Sequence, residues 1–136
     1  MAERRNILPR QHIMRGKRAF EYIFEHGSSY RAGVLKFIFC TAVPDELVQA
    51  PVSVAFAAPK RLFKRAVDRN YIKRRMRESY RLHQGLISLP ESQPEQLPLV
   101  LFIMYQKPQK RPYSAIEADM IKGINELNRR INGNNK

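Results

Sequence analysis

The sequence is short of acid. Twelve Asp and Glu stand against 25 Lys and Arg, giving a formal net charge of +13 in 136 residues. An excess of that size is costly to hold together unless a polyanion sits against it. Cysteine is almost absent. Cys40 is the only one, which excludes an intramolecular disulfide and a cysteine zinc site and makes a reducing cytoplasm the expected compartment. Its place in an apolar stretch marks it as a small core residue. Long apolar runs are missing too. The longest, Leu99 to Tyr105, is far too short to span a bilayer. The N-terminal stretch has no continuous apolar segment of the kind a secretory signal needs. No membrane partner is therefore expected.

The usual constellations of a protein nuclease are also lacking. His12, His26 and His83 form no pair at metal-ligand spacing. Asp45, Glu46 and Asp68 do not make the carboxylate cluster that a two-metal site requires. There is no glycine-rich loop to cradle a phosphate. No catalytic residue and no tightly bound metal are expected in this chain.

What the sequence does have is concentrated in Lys60 to Arg81, KRLFKRAVDRNYIKRRMRESYR. Ten of its 22 residues are Lys or Arg, opposed only by Asp68 and Glu78. At about 100° per residue, Arg69, Lys73, Arg77 and Arg81 form one stripe, with Asn70 and Arg74 beside it. Ile72, Met76, Ser79 and His83 fall on another arc. The pattern predicts a helix over 66–83 with one face for a core and a wide face for phosphates. A merely solvated helix interleaves acids as i, i+4 partners, and this one barely does. Small basic domains bind nucleic acid or, less often, anionic membrane.

The chain length fits one domain, with residues 1–13 as a mobile basic tail and 132–136 as a fraying end. Arg15 to His26 reads as a helix carrying Phe20, Ile23 and Phe24 at i, i+3, i+4 spacing, closed by Gly27. Residues 28–31 and 34–43 read as strands, as does Val52 to Ala57, where Val52, Val54 and Phe56 alternate with small residues. A basic loop from Pro59 to Arg65 leads into the basic helix. Gly85 to Pro98 is a connecting loop, and Leu99 to Gln106 is a strand. A second basic turn follows with Lys107, Lys110 and Arg111. Ser114 and Glu117 then form a possible capping box, opening a final helix with the stripe Ile116, Met120, Ile124, Leu127 and Ile131. Gly123 weakens that helix by about 1 kcal/mol relative to Ala. A helical crossover joins the strands on either side of the basic helix, so they can lie parallel in one sheet. Helices would cover one face of that sheet and leave the other free for a ligand.

The stretch Arg65-Ala66-Val67-Asp68-Arg69-Asn70-Tyr71-Ile72-Lys73-Arg74 resembles the signature helix of the bacterial ribonuclease P protein component. The resemblance extends over about residues 14 to 131. It takes in Arg18-Ala19-Phe20-Glu21-Tyr22-Ile23-Phe24, His26-Gly27-Ser28, Ala58-Pro59-Lys60-Arg61 and the segment from Ser114 to Glu117. It implies an α+β fold, a single-domain α-β-β-β-α-β-α sandwich with a left-handed crossover, as in a domain of a small-ribosomal-subunit protein. Pattern alone favours the common right-handed crossover. By resemblance, the RNA subunit of ribonuclease P performs phosphodiester hydrolysis with Mg2+. The protein binds that RNA through the signature helix and loop, and a cleft between the first helix and the sheet takes the single-stranded 5′ leader of precursor tRNA.

Carried over by position, Lys60, Arg61, Lys64, Arg65, Arg69, Asn70, Lys73, Arg74 and Arg77 become the RNA-binding set. Phe20 and Phe24 become leader-cleft aromatics, joined by Phe37 or Phe39 from the sheet. Asn70 either bonds a ribose or phosphate or caps a neighbouring backbone group. For Phe20 and Phe24 the competing role is core packing, with partial exposure expected for one of the two. Two departures stand out. Tyr71 occupies the place where the motif usually has a third basic residue, and the loop Leu62-Phe63-Lys64-Arg65 lacks the usual glycine. The expected function is that of the monomeric protein subunit of ribonuclease P, assisting 5′ maturation of precursor tRNA. The alternatives are a ribosomal or other structured-RNA-binding module without a role in cleavage, and a self-sufficient nuclease.

Overall fold

The computed structural model describes residues 17–48, 50–88 and 97–132. The expected N-terminal tail, the end of the chain beyond Asn132 and the middle of the 85–98 loop lie outside the described residues. Helix α1 spans Lys17–His26, followed by strands β1 (Ser28–Ala32), β2 (Leu35–Cys40) and β3 (Val52–Ala57). Helix α2 spans Ala66–His83, strand β4 Leu99–Tyr105 and helix α3 Tyr113–Ile131.

The sheet order is β1-β2-β4-β3. The β1 and β2 strands form an antiparallel hairpin in which Ala32 faces Leu35. Gly33 turns it with φ +61°, a left-handed conformation that costs glycine nothing. Strand β2 pairs antiparallel with β4, and β3 pairs parallel with β4 through the α2 crossover. Parallel neighbours need such a crossover, so the expected pairing around the basic helix is present.

Alternation along the strands divides the interior in two. On one face, Leu35, Phe37, Val54, Leu99, Leu101, Ile103 and Tyr105 pack against Ile72, Met76 and Tyr80 of α2 and the whole Ile116 to Ile131 stripe of α3. Fully burying each aliphatic side chain contributes about 1.5–3 kcal/mol. On the other face, Ile38, Cys40, Ala55, Val100 and Phe102 lie beneath Ala19 and Ile23 of α1. Strand β4 is covered on both sides, which explains its unbroken apolar sequence. The expectation of one ligand-free sheet face is thus corrected: α1 occupies part of that face.

Two local expectations also change. Ser114 lies inside α3 and makes no capping bond. Pro112 is the N-cap, and its carbonyl accepts from Ala115 N at 3.1 Å and Ile116 N at 3.3 Å. Gly123 is a packing requirement rather than a weak point. A Cβ there would lie 2.0 Å from Phe37 Cζ, and its carbonyl accepts from Tyr30 Oη at 2.6 Å.

Candidate nucleic-acid interface

The basic helix has its predicted bounds, and of its expected inner arc Ile72, Met76 and Ser79 are buried, joined by Tyr80, while His83 is half-buried. Its outer face follows from the same 3.6-residue period. Asn70, Lys73, Arg74 and Arg77 are exposed, and so are Lys60, Arg61, Lys64 and Arg65 in the preceding loop. None of Lys73, Arg74 and Arg77 pairs with an acid among the described residues. The Asn70 amide makes no side-chain hydrogen bond among the described residues, so it does not cap a neighbouring backbone group.

The loop is fixed without a glycine. Pro59 O accepts from Leu62 N at 3.0 Å and Phe63 N at 3.1 Å. Phe63 is buried and stacks on Tyr105, with ring centroids 5.7 Å apart. Arg69 completes the anchor: its Nη1 donates to Phe63 O at 3.0 Å and Lys64 O at 2.8 Å. This corrects the expectation that Arg69 faces solvent as a simple phosphate contact. It is half-buried, and its guanidinium holds the loop that presents Lys60, Arg61, Lys64 and Arg65.

At the far end of the stripe, Arg81 is engaged by Glu78, with Nη2 to Oε2 at 2.7 Å. That hydrogen bond lowers the Glu78 carboxyl below its ordinary range and raises Arg81. The unpaired cationic face is therefore the middle of α2 and the loop before it. His83 Nε2 lies 2.7 Å from Glu117 Oε2, tying the end of α2 to α3.

On the opposite face of the sheet, α1 and β4 bring three aromatic rings together. Phe24 is 57% exposed, Phe20 is half-buried and Ile23 is fully buried. The expected partial exposure on this helix is present. Phe102 of β4 meets both rings edge-on, at 5.6 Å from Phe20 and 5.4 Å from Phe24. Phe37 is a correction. It is fully buried on the other face, stacked on Tyr30 at 5.2 Å and facing Gly123. Phe39 shares that face. Side chains alternate along a strand, so neither ring can reach the face that carries α1. The aromatic that sequence reasoning missed is Phe102. Its signal was hidden because every residue of β4 is apolar.

Among the described residues, no three His, Cys, Asp or Glu side chains converge as a metal site requires. Asp68, the acid on the first turn of α2, is paired with Lys110 at 3.1 Å. No helix among the described residues is long and apolar enough to cross a membrane.

These features have relatives. A sequence from Chlorobaculum tepidum, named ribonuclease P protein component, is 42% identical over 87 residues, covering 63% of this chain and 56% of that protein. One of the same name from Chlorobium phaeobacteroides is 37% identical over 93 residues, covering 66% of this chain and 64% of that protein. The chain thus matches less than two thirds of the length of these curated relatives. The structure of the Staphylococcus aureus RNase P protein superposes with a TM-score of 0.64 at 20% identity, covering 85% of this chain and 94% of that one. At that identity the likeness speaks for the fold. The family model for ribonuclease P matches residues 8–128, and the chain belongs to the ribonuclease P family.

Proposed function

We propose that this chain is the protein subunit of ribonuclease P, a ribonucleoprotein endoribonuclease that removes the 5′ leader of precursor tRNA. The observation that carries the reading is the separation of two surfaces on one sheet. A cationic helix face, with Lys73, Arg74 and Arg77 unpaired, stands on one side. An aromatic cluster, with Phe24 exposed against Phe102, stands on the other. Long cations on a rigid helix suit the phosphates of a folded RNA, and arginine adds a planar donor fork. Exposed aromatic faces suit single-stranded nucleotides, because every base has a face to stack and no sequence need be read.

In this reading α2 and its loop dock on the catalytic RNA while the cleft holds the leader. Phe20, Phe24 and Phe102 form the aromatic wall. Asn70, exposed beside Lys73 and Arg74, bonds a ribose or phosphate. The protein works as a monomer in the cytoplasm. Hydrolysis belongs to the RNA, and Mg2+ acts in the RNA-built site.

Reconstitution tests this. Added to the catalytic RNA of the same genome with Mg2+, the protein should speed precursor tRNA cleavage at the mature 5′ end. A structured-RNA-binding module outside ribonuclease P would bind RNA and leave that rate unchanged.

A further inference from the structure

The turn between β4 and α3 carries Lys107, Lys110 and Arg111 and no acid, and the function proposed above does not use it. All three residues are exposed. The turn is closed from within. Tyr105 Oη donates to Gln109 O at 2.6 Å and accepts from Arg111 N at 3.1 Å. It is also docked on α2. Lys110 Nζ lies 3.1 Å from Asp68 Oδ1 and 5.1 Å from the centre of the Tyr71 ring. The Arg75 guanidinium lies over the same ring at 4.3 Å, and its Nε is buried with no hydrogen-bond partner. A cation over an aromatic face is held by the ring quadrupole. Tyr71, standing where the related motif has its third basic residue, thus gathers two cations, one from its own helix and one from the turn. Lys107 and Arg111 pair with no acid among the described residues.

We propose that the β4–α3 turn is a second phosphate-binding surface, joined to α2 by Tyr71, and that it contacts the backbone of structured RNA. The inference rests on the reading that α2 docks on RNA. Its chemistry is electrostatic. Three exposed cations on a braced turn lose little freedom on binding, and their like charge is relieved by a polyanion. Only Asp68 opposes them, and it also fixes the direction of Lys110. Tyr71 is a positioning residue here. Its ring replaces one fixed cation of the motif by two that arrive from separate elements.

The test measures the dependence of log K on log salt for the full chain, with the catalytic RNA and separately with precursor tRNA. Each phosphate contact on a duplex contributes a slope of about 0.9. The Lys107→Ala/Lys110→Ala/Arg111→Ala variant should lose roughly 2 to 3 units of slope on one of these RNAs, and the arm in which it does so identifies the partner. Unchanged slopes in both arms overturn the proposal. Lys73→Ala/Arg74→Ala/Arg77→Ala, measured in parallel, keeps the two readings apart. If that variant loses slope and the turn variant does not, the turn inference fails and the α2 interface stands. If neither changes, both fail. For Tyr71, replacement by Leu should weaken binding about two- to fivefold and replacement by Phe should not. Equal effects of the two changes overturn the role given to the ring.

Discussion

Phe24 meets Phe102 edge-on at 5.4 Å across the sheet face that α1 leaves partly uncovered. Phe102 is 7% exposed and Phe24 57%, so one ring is buried and the other stands largely in solvent. Phe37, in the neighbouring strand, is fully buried on the opposite side. Phe24 and Phe37 should respond differently to truncation. Phe37→Ala should cost about 3–5 kcal/mol of stability and damage every function alike. Phe24→Ala should cost only about 0.5–1 kcal/mol of stability, because more than half of its surface already stands in water. Chemical denaturation of the two variants checks both values.

Arg69 should behave unlike the rest of its stripe. Its two hydrogen bonds to Phe63 O and Lys64 O brace the loop, and bonds from a charged donor contribute about 1.5–3 kcal/mol. Arg69→Ala should lower stability by roughly that amount and loosen the backbone of residues 60–65, visible as faster amide exchange there. Lys73→Ala and Arg74→Ala should leave both stability and exchange unchanged, since neither side chain has a partner among the described residues.

Gly123→Ala should destabilise despite the gain in helix propensity. The new Cβ would meet Phe37 Cζ at 2.0 Å, and overpacking of this kind costs about 1–3 kcal/mol against a propensity gain of about 1. A raised melting temperature for this variant would refute the close packing of α3 on β2.

Glu126 is the acid whose titration should be read in stability. Hydrogen bonds from Arg129, and then from Arg130 with Nε at 2.6 Å, hold its carboxyl at about 2, down from 4.5. Because the folded value lies below the unfolded one, the contribution is complete above about pH 4.5 and is lost as pH falls toward about 2. The pair is solvent-accessible, so the effect is small. Glu126→Gln should lower the melting temperature slightly at neutral pH, where the contribution is complete, and flatten its pH dependence in that window.

The basic helix was legible because its signals agree: a charged stripe, an apolar arc and a period of 3.6 over 18 residues. Strand β4 was legible because seven apolar residues between polar turns suit a strand covered on both faces. The same property concealed which of its residues faces the cleft. In β2, LKFIFC carries one charge, Lys36, on the face of Ile38 and Cys40, while Leu35, Phe37 and Phe39 make the wholly apolar face that packs beneath α2 and α3. The role of Arg69 was out of reach for another reason. It depends on two backbone carbonyls brought near by the Pro59 turn, and backbone carbonyls carry no mark in a sequence. The capping box at Ser114 failed locally, because Pro112 already supplies the helix start with its extended ψ of 160°.

The division of labour in the proposed function also predicts a negative result. Purified protein, freed of contaminating nucleases, should not cut precursor tRNA with or without Mg2+. Cleavage by the RNA-free protein would show that a catalytic group in this chain has been overlooked.

The central claim, that the α1 cleft receives the leader, is tested most directly by the ratio of affinities for precursor and mature tRNA in the reconstituted holoenzyme. Stacking contributes about 1–3 kcal/mol per base. Phe24→Ala should therefore reduce the affinity for precursor tRNA by about fivefold or more and leave the affinity for mature tRNA as it was. An unchanged ratio in a variant that folds normally would contradict the account, and the exposed ring of Phe24 would have no part in holding the leader.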